Sequence, residues 1–345
     1  MLKTAGVTML ILLIINPFTI SFSKSLFAYE KDTFVFSPID IELKDDAFHG
    51  AKTSHYTEWW YFDAVFDNNY SAQMNVRIAS MFNYGTVFKR LDIYKDGALI
   101  SHNKKSYHVR NFFASKEKPA VYLDDFCVIN GSIDDSTGNW IYDVYFQFDD
   151  ASALLKFTGC TDGWRGQLHG KEWWGVALPR AKTSGTLTID NESINVTGLG
   201  YHDHNWDITA SACMNFGWYW GKIHSSNYTI TWATILRTRL ANDRLLVINK
   251  NQGDYLNIEP TEIQFTAENF SFENRYLIPH SFTLTAHKEN ISIDVKMDVI
   301  DIHHERLFCF MNYWRYHVKC KGSITVDSQT ETIDSFQVAE FLRFR

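Results

Sequence analysis

A chain of 345 residues with 45% apolar and 21% charged side chains has room for a large core and two domains, and its composition excludes long disorder. A formal net charge of −7 without a basic cluster argues against a nucleic-acid partner. The aromatic share is high at 16%, and such side chains favour strands and line apolar cavities.

Lys3 and the apolar run Val7 to Ile15, broken only by Thr8, read as a targeting segment that Asn16-Pro17 ends short of a membrane span. Residues 1–28 are expected to be a signal peptide or N-terminal anchor, with cleavage after Ser23 or Ala28. Export follows, so the expected location is extracytoplasmic, secreted or cell-envelope associated. Cys127, Cys160, Cys213, Cys309 and Cys320 are too scattered for a disulfide framework or a zinc knuckle. They leave room for one or two disulfides and at least one free thiol.

Lys31 to Gly50 is polar and irregular and reads as a lead-in. From Thr57 the pattern is strand and tight turn. Glu58 to Phe66 and Ser71 to Met81 flank Asp67-Asn68-Asn69-Tyr70, a hairpin signal. Lys89 to Tyr94 and Ala98 to Ser101 flank Asp96-Gly97, which suits a type I′ turn. Tyr142, Val144, Phe146 and Phe148 alternate with more polar neighbours, and Asp149-Asp150 turns the chain into Ala153 to Phe157. Thr186 to Ile189 and Ser193 to Thr197 flank Asp190-Asn191-Glu192. In the second half Tyr228 to Leu236 alternates, and Ile291, Ile293, Val295, Met297 and Val299 form the cleanest alternation of all. Tyr313 to Lys319, Ser323 to Val326 and Ile333 to Phe341 close the series. Short strands at regular spacing, with helical periodicity almost absent, predict an all-β protein of two tandem antiparallel barrels, about eight strands each. The expected N-terminal domain runs over 45–212 and the C-terminal one over 213–345.

Two stretches concentrate the chemistry. In Glu58-Trp59-Trp60-Tyr61-Phe62-Asp63, a strand period of two puts Glu58, Trp60 and Phe62 on one face and Trp59, Tyr61 and Asp63 on the other. A carboxylate among aromatics is either a desolvated proton donor or the partner of an arginine such as Arg77 or Arg180. In Tyr201-His202-Asp203-His204-Asn205-Trp206 the same period sets His202, His204 and Trp206 on one side. Tyr201, Asp203 and Asn205 take the other. Three readings fit: two metal ligands in His-X-His with a third from Glu58, His55 or His224, a proton relay, or hydrogen-bonded core histidines. No metal or cofactor is expected, since no other ligand pair stands at recognisable spacing. Trp173-Trp174 and Trp218-Tyr219-Trp220 extend the aromatic theme, as packing or as faces that stabilise a cation. No phosphate loop, dinucleotide fingerprint, Gly-X-Ser-X-Gly or His-Glu-X-X-His occurs.

These stretches carry a resemblance. His55-X-X-Glu58-Trp59-Trp60-Tyr61-Phe62, Leu178-Pro179-Arg180-Ala181, Gly198-X-Gly200-Tyr201-His202-Asp203-His204-Asn205-Trp206 and Trp218-Tyr219-Trp220-Gly221-Lys222-Ile223-His224 stand in that order. Together they resemble the lipocalin-like family of hydroxyneurosporene synthase (carotenoid 1,2-hydratase) and AttH proteins. Fungal lipocalin-like cyclases of the Diels–Alderase type and kievitone hydratase look similar. The resemblance implies two lipocalin-like barrels and an apolar ligand pocket at or near their junction. It implies chemistry on a C=C bond, hydration or cyclisation, with His204-Asn205-Trp206 matching a His-X-Trp pair of the hydratases. The family's Tyr-X-Asp pair has no counterpart at that spacing in Asn227 to Ala233.

The expected function is therefore binding of a long apolar, isoprenoid- or polyene-like ligand, with hydro-lyase or cyclase activity. Glu58, His202, Asp203 and His204 are the candidate catalytic residues, and Trp60, Tyr201, Trp206, Trp218 and Trp220 the candidate substrate-binding ones. Glu58 or a protonated His204 would protonate the alkene, and water held by His202 or Asp203 would add. The alternative is a non-catalytic lipid carrier outside the cytoplasm, with membrane-surface association as a further expectation.

Overall fold

Side chains on successive residues of a pleated strand leave on opposite sides, so alternating sequences bury one row and expose the other. The computed structural model describes residues 34–50, 55–81, 84–208, 215–237, 241–251, 253–273, 275–307 and 311–344. The stretch expected to be a targeting segment, the expected 212/213 boundary, Cys213 and Cys309 lie outside these.

The first sheet begins with β1 (Ile39–Asp40), β2 (His55–Phe66), β3 (Tyr70–Met81), β4 (Tyr84–Lys95) and β5 (Ala98–His108). It continues through β6 (Phe112–Ala114), β7 (Ala120–Leu123), β8 (Phe126–Ile133) and β9 (Trp140–Gln147). Then come β10 (Ala151–Gly159), β11 (Trp164–Gln167), β12 (Trp173–Ile189) and β13 (Glu192–Ile208). The second sheet takes β14 (Gly217–His224), β15 (Tyr228–Leu236), β16 (Asn242–Lys250), β17 (Tyr255–Ile258) and β18 (Ile263–Glu268). A separate hairpin, β19 (Ser271–Glu273) and β20 (Tyr276–Ile278), precedes β21 (Ser281–Lys288), β22 (Ile291–Leu307), β23 (Met311–Val326) and β24 (Gln329–Arg343).

Hydrogen-bonded neighbours run β5-β4-β3-β2-β13-β12-β10-β9-β8-β7-β6 in the first sheet and β17-β16-β15-β14-β24-β23-β22-β21-β18 in the second. These are two nearly closed antiparallel barrels of 11 and 9 strands. Each has one seam, and in each the two edge strands are consecutive in sequence. A 3-10 turn spans each seam, Val109–Asn111 in the first barrel and Pro260–Glu262 in the second. The expected two-barrel, all-β architecture is present, but eight strands per barrel was too few. β6 and β7 in the first barrel and β17 in the second are three or four residues long, too short to show an alternation. The expected type I′ turn has both central residues at positive φ, Asp96 at 51° and Gly97 at 90°.

The lumen of the first barrel is filled by side chains such as Trp60, Phe62, Met74, Leu91, Tyr142 and Phe157. The second is filled likewise by Trp232, Phe282, Tyr316 and Phe341. A third apolar cluster lies between the barrels, built from Phe36, Tyr61, Trp164, Trp174, Tyr201, Trp220 and Val247. The stretch read as a lead-in is thus structural: Phe36 enters this cluster, and the 3-10 turn Leu43–Asp46 carries the Asp46 side chain into the first barrel. Cys127, Cys160 and Cys320 are free thiols.

Candidate functional site

Register brings the two motif strands together. β2 and β13 pair antiparallel with Trp60 opposite His204 and Phe62 opposite His202. On the far side of β13, Gly175 of β12 stands opposite His204. A Cβ at Gly175 would lie 2.8 Å from the Trp206 ring and 3.1 Å from Ile41, so only glycine lets Trp206 lean in. The expected face partition holds along both strands, and it splits the candidate residues into two sets.

The lumen face carries Glu58, Trp60, His202, His204 and Trp206. His204 Nε2 donates to Glu58 Oε1 at 2.9 Å. Its Nδ1 lies 3.4 Å from Asp46 Oδ1, a charge contact out of hydrogen-bond alignment. Glu58 accepts from backbone as well, from His49 N on Oε1 at 2.9 Å and from Gly50 N on Oε2 at 3.0 Å. It therefore pairs with an imidazole and two amides, not with Arg77 or Arg180. Arg77 lies over Trp59 on the other face, and Arg180 donates to the Ser225 carbonyl. Asp46 Oδ2 accepts from Tyr142 OH at 2.7 Å and sits 2.9 Å from His202 Nε2, whose Nδ1 is 2.9 Å from the Tyr61 carbonyl. The rings stack: Phe62 on His202 at 3.8 Å, Trp60 on His204 at 4.6 Å, His49 on Trp206 at 4.2 Å.

The charges follow from this geometry. Burial alone would depress His204, but its contacts with Asp46 and Glu58 outweigh that and lift it to about 9, an imidazolium at neutral pH. Burial alone would raise Asp46; the imidazoles of His202 and His204 reverse the effect and hold its carboxyl well below the usual carboxylate range. Both ring nitrogens of His204 already face carboxylates. Among the described residues no group of three His, Cys, Asp or Glu side chains is arranged to hold a metal.

The opposite face points at the second barrel and carries Tyr201, Asp203, Tyr61 and Asp63. Asp203 Oδ2 accepts from Tyr201 OH at 2.8 Å and from Trp174 Nε1 at 3.0 Å. Burial nevertheless pushes Asp203 up to about 7, the hydrogen bonds opposing it. Asp63 pairs with Lys222 of β14, whose ammonium lies 5.2 Å from the Tyr201 ring and 5.4 Å from the Trp220 ring. Arg315 of β23 donates to Tyr61 OH at 2.7 Å and to Glu340 of β24 at 3.0 Å. Trp220 packs on Tyr61 and Tyr201 in this layer, and Trp218 sits beside it against Phe344. The pocket expected at the junction is occupied by these side chains. Tyr201, Asp203, Trp218 and Trp220 therefore share no pocket with His204, being separated from it by the β2–β13 layer.

Sequence reading missed Asp46, Tyr142, Lys222, Arg315 and Glu340. For Asp46 a signal existed, because Glu42 and Asp45 form a reciprocal cap around the turn that presents it. Tyr142 and Lys222 meet partners 96 and 159 residues away, and Arg315 and Glu340, though on neighbouring strands, both converge on Tyr61 more than 250 residues away, so none leaves a local trace. The His55 side chain lies outside what the structure describes.

No protein-family model and no curated protein matches the sequence. Solved structures do. A candidate AttH protein from Nitrosomonas europaea superposes with a TM-score of 0.63 at 15% identity, over 85% of this chain and 94% of its own. This chain has the AttH-like fold. CghA in complex with Sch210972 matches at TM-score 0.53 and 9% identity, over 84% of this chain and 89% of its own. Kievitone hydratase from Nectria haematococca aligns at 0.49 and 15%, over 83% and 88%. At 15% and 9% identity the first two share the fold with this chain, and the chemistry has to come from the side chains.

Proposed function

We propose that the protein binds a small hydrophobic molecule and acts on a C=C bond of it by proton transfer from His204, leading to hydration or ring closure. The observation that carries this reading is His204 itself, an imidazolium held between the carboxylates of Glu58 and Asp46 with the indoles of Trp60 and Trp206 4.6 and 5.1 Å away. Protonating an alkene creates a carbocation, and indole faces stabilise a cation where water is excluded. Glu58, with both oxygens accepting N–H groups, holds the proton on His204 and takes the part of the positioning base. Asp203 stands outside this chemistry because it faces the other barrel. Export, read from Val7 to Ile15, belongs to the same proposal. That CghA is complexed with Sch210972 in the same fold supports a small-molecule role.

The test is turnover of isoprenoid and polyene alkenes in heavy water. His204→Gln is expected to abolish deuterium incorporation while the ligand still binds. Undiminished incorporation in His204→Gln would overturn the reading.

A second reading, a carrier without chemistry, is favoured by one feature: neither of the two described clefts touches His204, and its ring is fully buried. The two separate cleanly, because a carrier releases its ligand chemically unchanged.

A further inference from the structure

The inward row of β4 reads Val87, Lys89, Leu91, Ile93, an apolar series broken by one lysine. In register with Lys105 of β5, Lys89 reaches across the seam of the first barrel. Its Nζ donates to the Gln147 carbonyl at the end of β9 at 2.8 Å. It also sits 4.5 Å from the Phe148 ring centre and 5.8 Å from that of Tyr107. Only 6% of the residue is exposed. Beside it, between β5 and β7–β9, opens a cleft of about 530 Å³ lined by Lys105, Tyr107, Leu123, Val128 and Phe148 among others. That volume falls within the range of small-molecule sites, roughly 300 to 1,000 Å³. The lining shares no residue with the His204 cluster.

We propose that this cleft is a binding site for a small carbonyl compound, an aldehyde or ketone with an apolar body, which the Lys89 amine captures as an imine. The neutral nitrogen adds to the carbonyl carbon while the C=O electron pair moves to oxygen and takes up a proton. The carbinolamine then loses water, and the new C=N bond forms with no change of oxidation state. Lys89 suits this step for physical reasons. One N–H is committed to the Gln147 carbonyl, and the rings of Phe148 and Tyr107 offer an apolar bed for the ligand's body. Burial, helped by Lys105 and opposed by Asp124, pulls the amine down to about 8. The other charged groups lining the cleft are Asp149, Asp150 and Lys104. Burial and Arg90 likewise pull the Lys104 amine down to about 8, but it is engaged in an ion pair with Glu305, unlike Lys89. An ordinary lysine near 10.4 is under about 1% free base at pH 8, whereas Lys89 is about half free base there.

The experiment incubates the full chain with cinnamaldehyde and cyanoborohydride near neutral pH and locates the reduced adducts by peptide mass spectrometry. Lys89 is expected to carry at least about ten-fold more label than the exposed Lys156 or Lys182, following its larger free-base fraction. Lys89→Arg is expected to lose that excess without gaining label at Lys105. Where Lys89→Arg folds poorly, Lys89→Met serves the same purpose, and the wild-type distribution stands alone as a readout. Label spread evenly over surface lysines, or concentrated at Lys104 or Lys105 instead of Lys89, would overturn the proposal.

Discussion

Replacing Glu58 by Gln removes one of the two carboxylates that keep His204 charged. The shift of His204 from 6.5 to about 9 corresponds to about 3 kcal/mol of folded-state stabilisation, at about 1.4 kcal/mol per pH unit. Because the folded value is the raised one, this contribution is complete below about pH 6.5 and disappears as the pH rises through about 9. Part of it stays with Asp46 in the variant. The amide brings a second penalty. His49 N and Gly50 N donate to different oxygens of Glu58, so the new NH2 must face one of these donors, at about 1–3 kcal/mol. Urea denaturation of both proteins at about pH 6 and about pH 10 should show Glu58→Gln less stable by about 3–5 kcal/mol at the lower pH and by about 1–3 kcal/mol at the higher. A gap that stays constant across this range would refute the reasoning, since it would mean that His204 carries no charge for Glu58 to hold.

Asp203, pushed up to about 7, binds its proton more tightly folded than unfolded, so stability should fall by about 4 kcal/mol as pH climbs from about 4 to about 7. Asp203→Asn should flatten that part of the pH–stability curve, because an amide oxygen still accepts from Trp174 and Tyr201. Lys222→Met removes the closest cation from the buried Asp63 carboxylate, leaving it Tyr61 OH at 2.9 Å and Arg315 at 3.7 Å, and should cost about 2–4 kcal/mol in chemical denaturation. Adding Asp63→Asn should return part of that loss, giving a non-additive double-mutant cycle. Gly175→Ala forces a methyl group against Trp206 and should destabilise by about 1–3 kcal/mol, with a changed near-ultraviolet circular dichroism from the displaced indole.

Much of the fold was legible because β structure writes itself locally. The alternation in Ile291 to Val299 and the Asp96-Gly97 turn identify strands and hairpins without knowledge of the rest of the chain. The division of Glu58-Trp60-Phe62 from Trp59-Tyr61-Asp63, and of His202-His204-Trp206 from Tyr201-Asp203-Asn205, follows from the pleat alone. Which side each row faces does not. Both rows are buried, one in a lumen and one between barrels, so polarity could not separate them. This is why Asp203 and His204, immediate neighbours in the sequence, read as members of one site although their side chains leave opposite faces of the sheet. The partners Asp46, Lys222 and Arg315 were hidden for a related reason. A buried charge shows itself only through the groups it meets, and here these include groups 156, 159 and 254 residues away for the pairs Asp46–His202, Lys222–Asp63 and Arg315–Tyr61.

Nitrogen-15 spectroscopy of protein labelled at histidine, with His204→Gln assigning the resonances, reads the charge on His204 without perturbing its surroundings. Both ring nitrogens of His204 should remain protonated at about pH 8 and titrate with a midpoint of about 9. A neutral tautomer at that pH, with a midpoint under about 7, would leave Glu58 and Asp46 without the cation they are described as holding, and the proton donor proposed here with nothing to give.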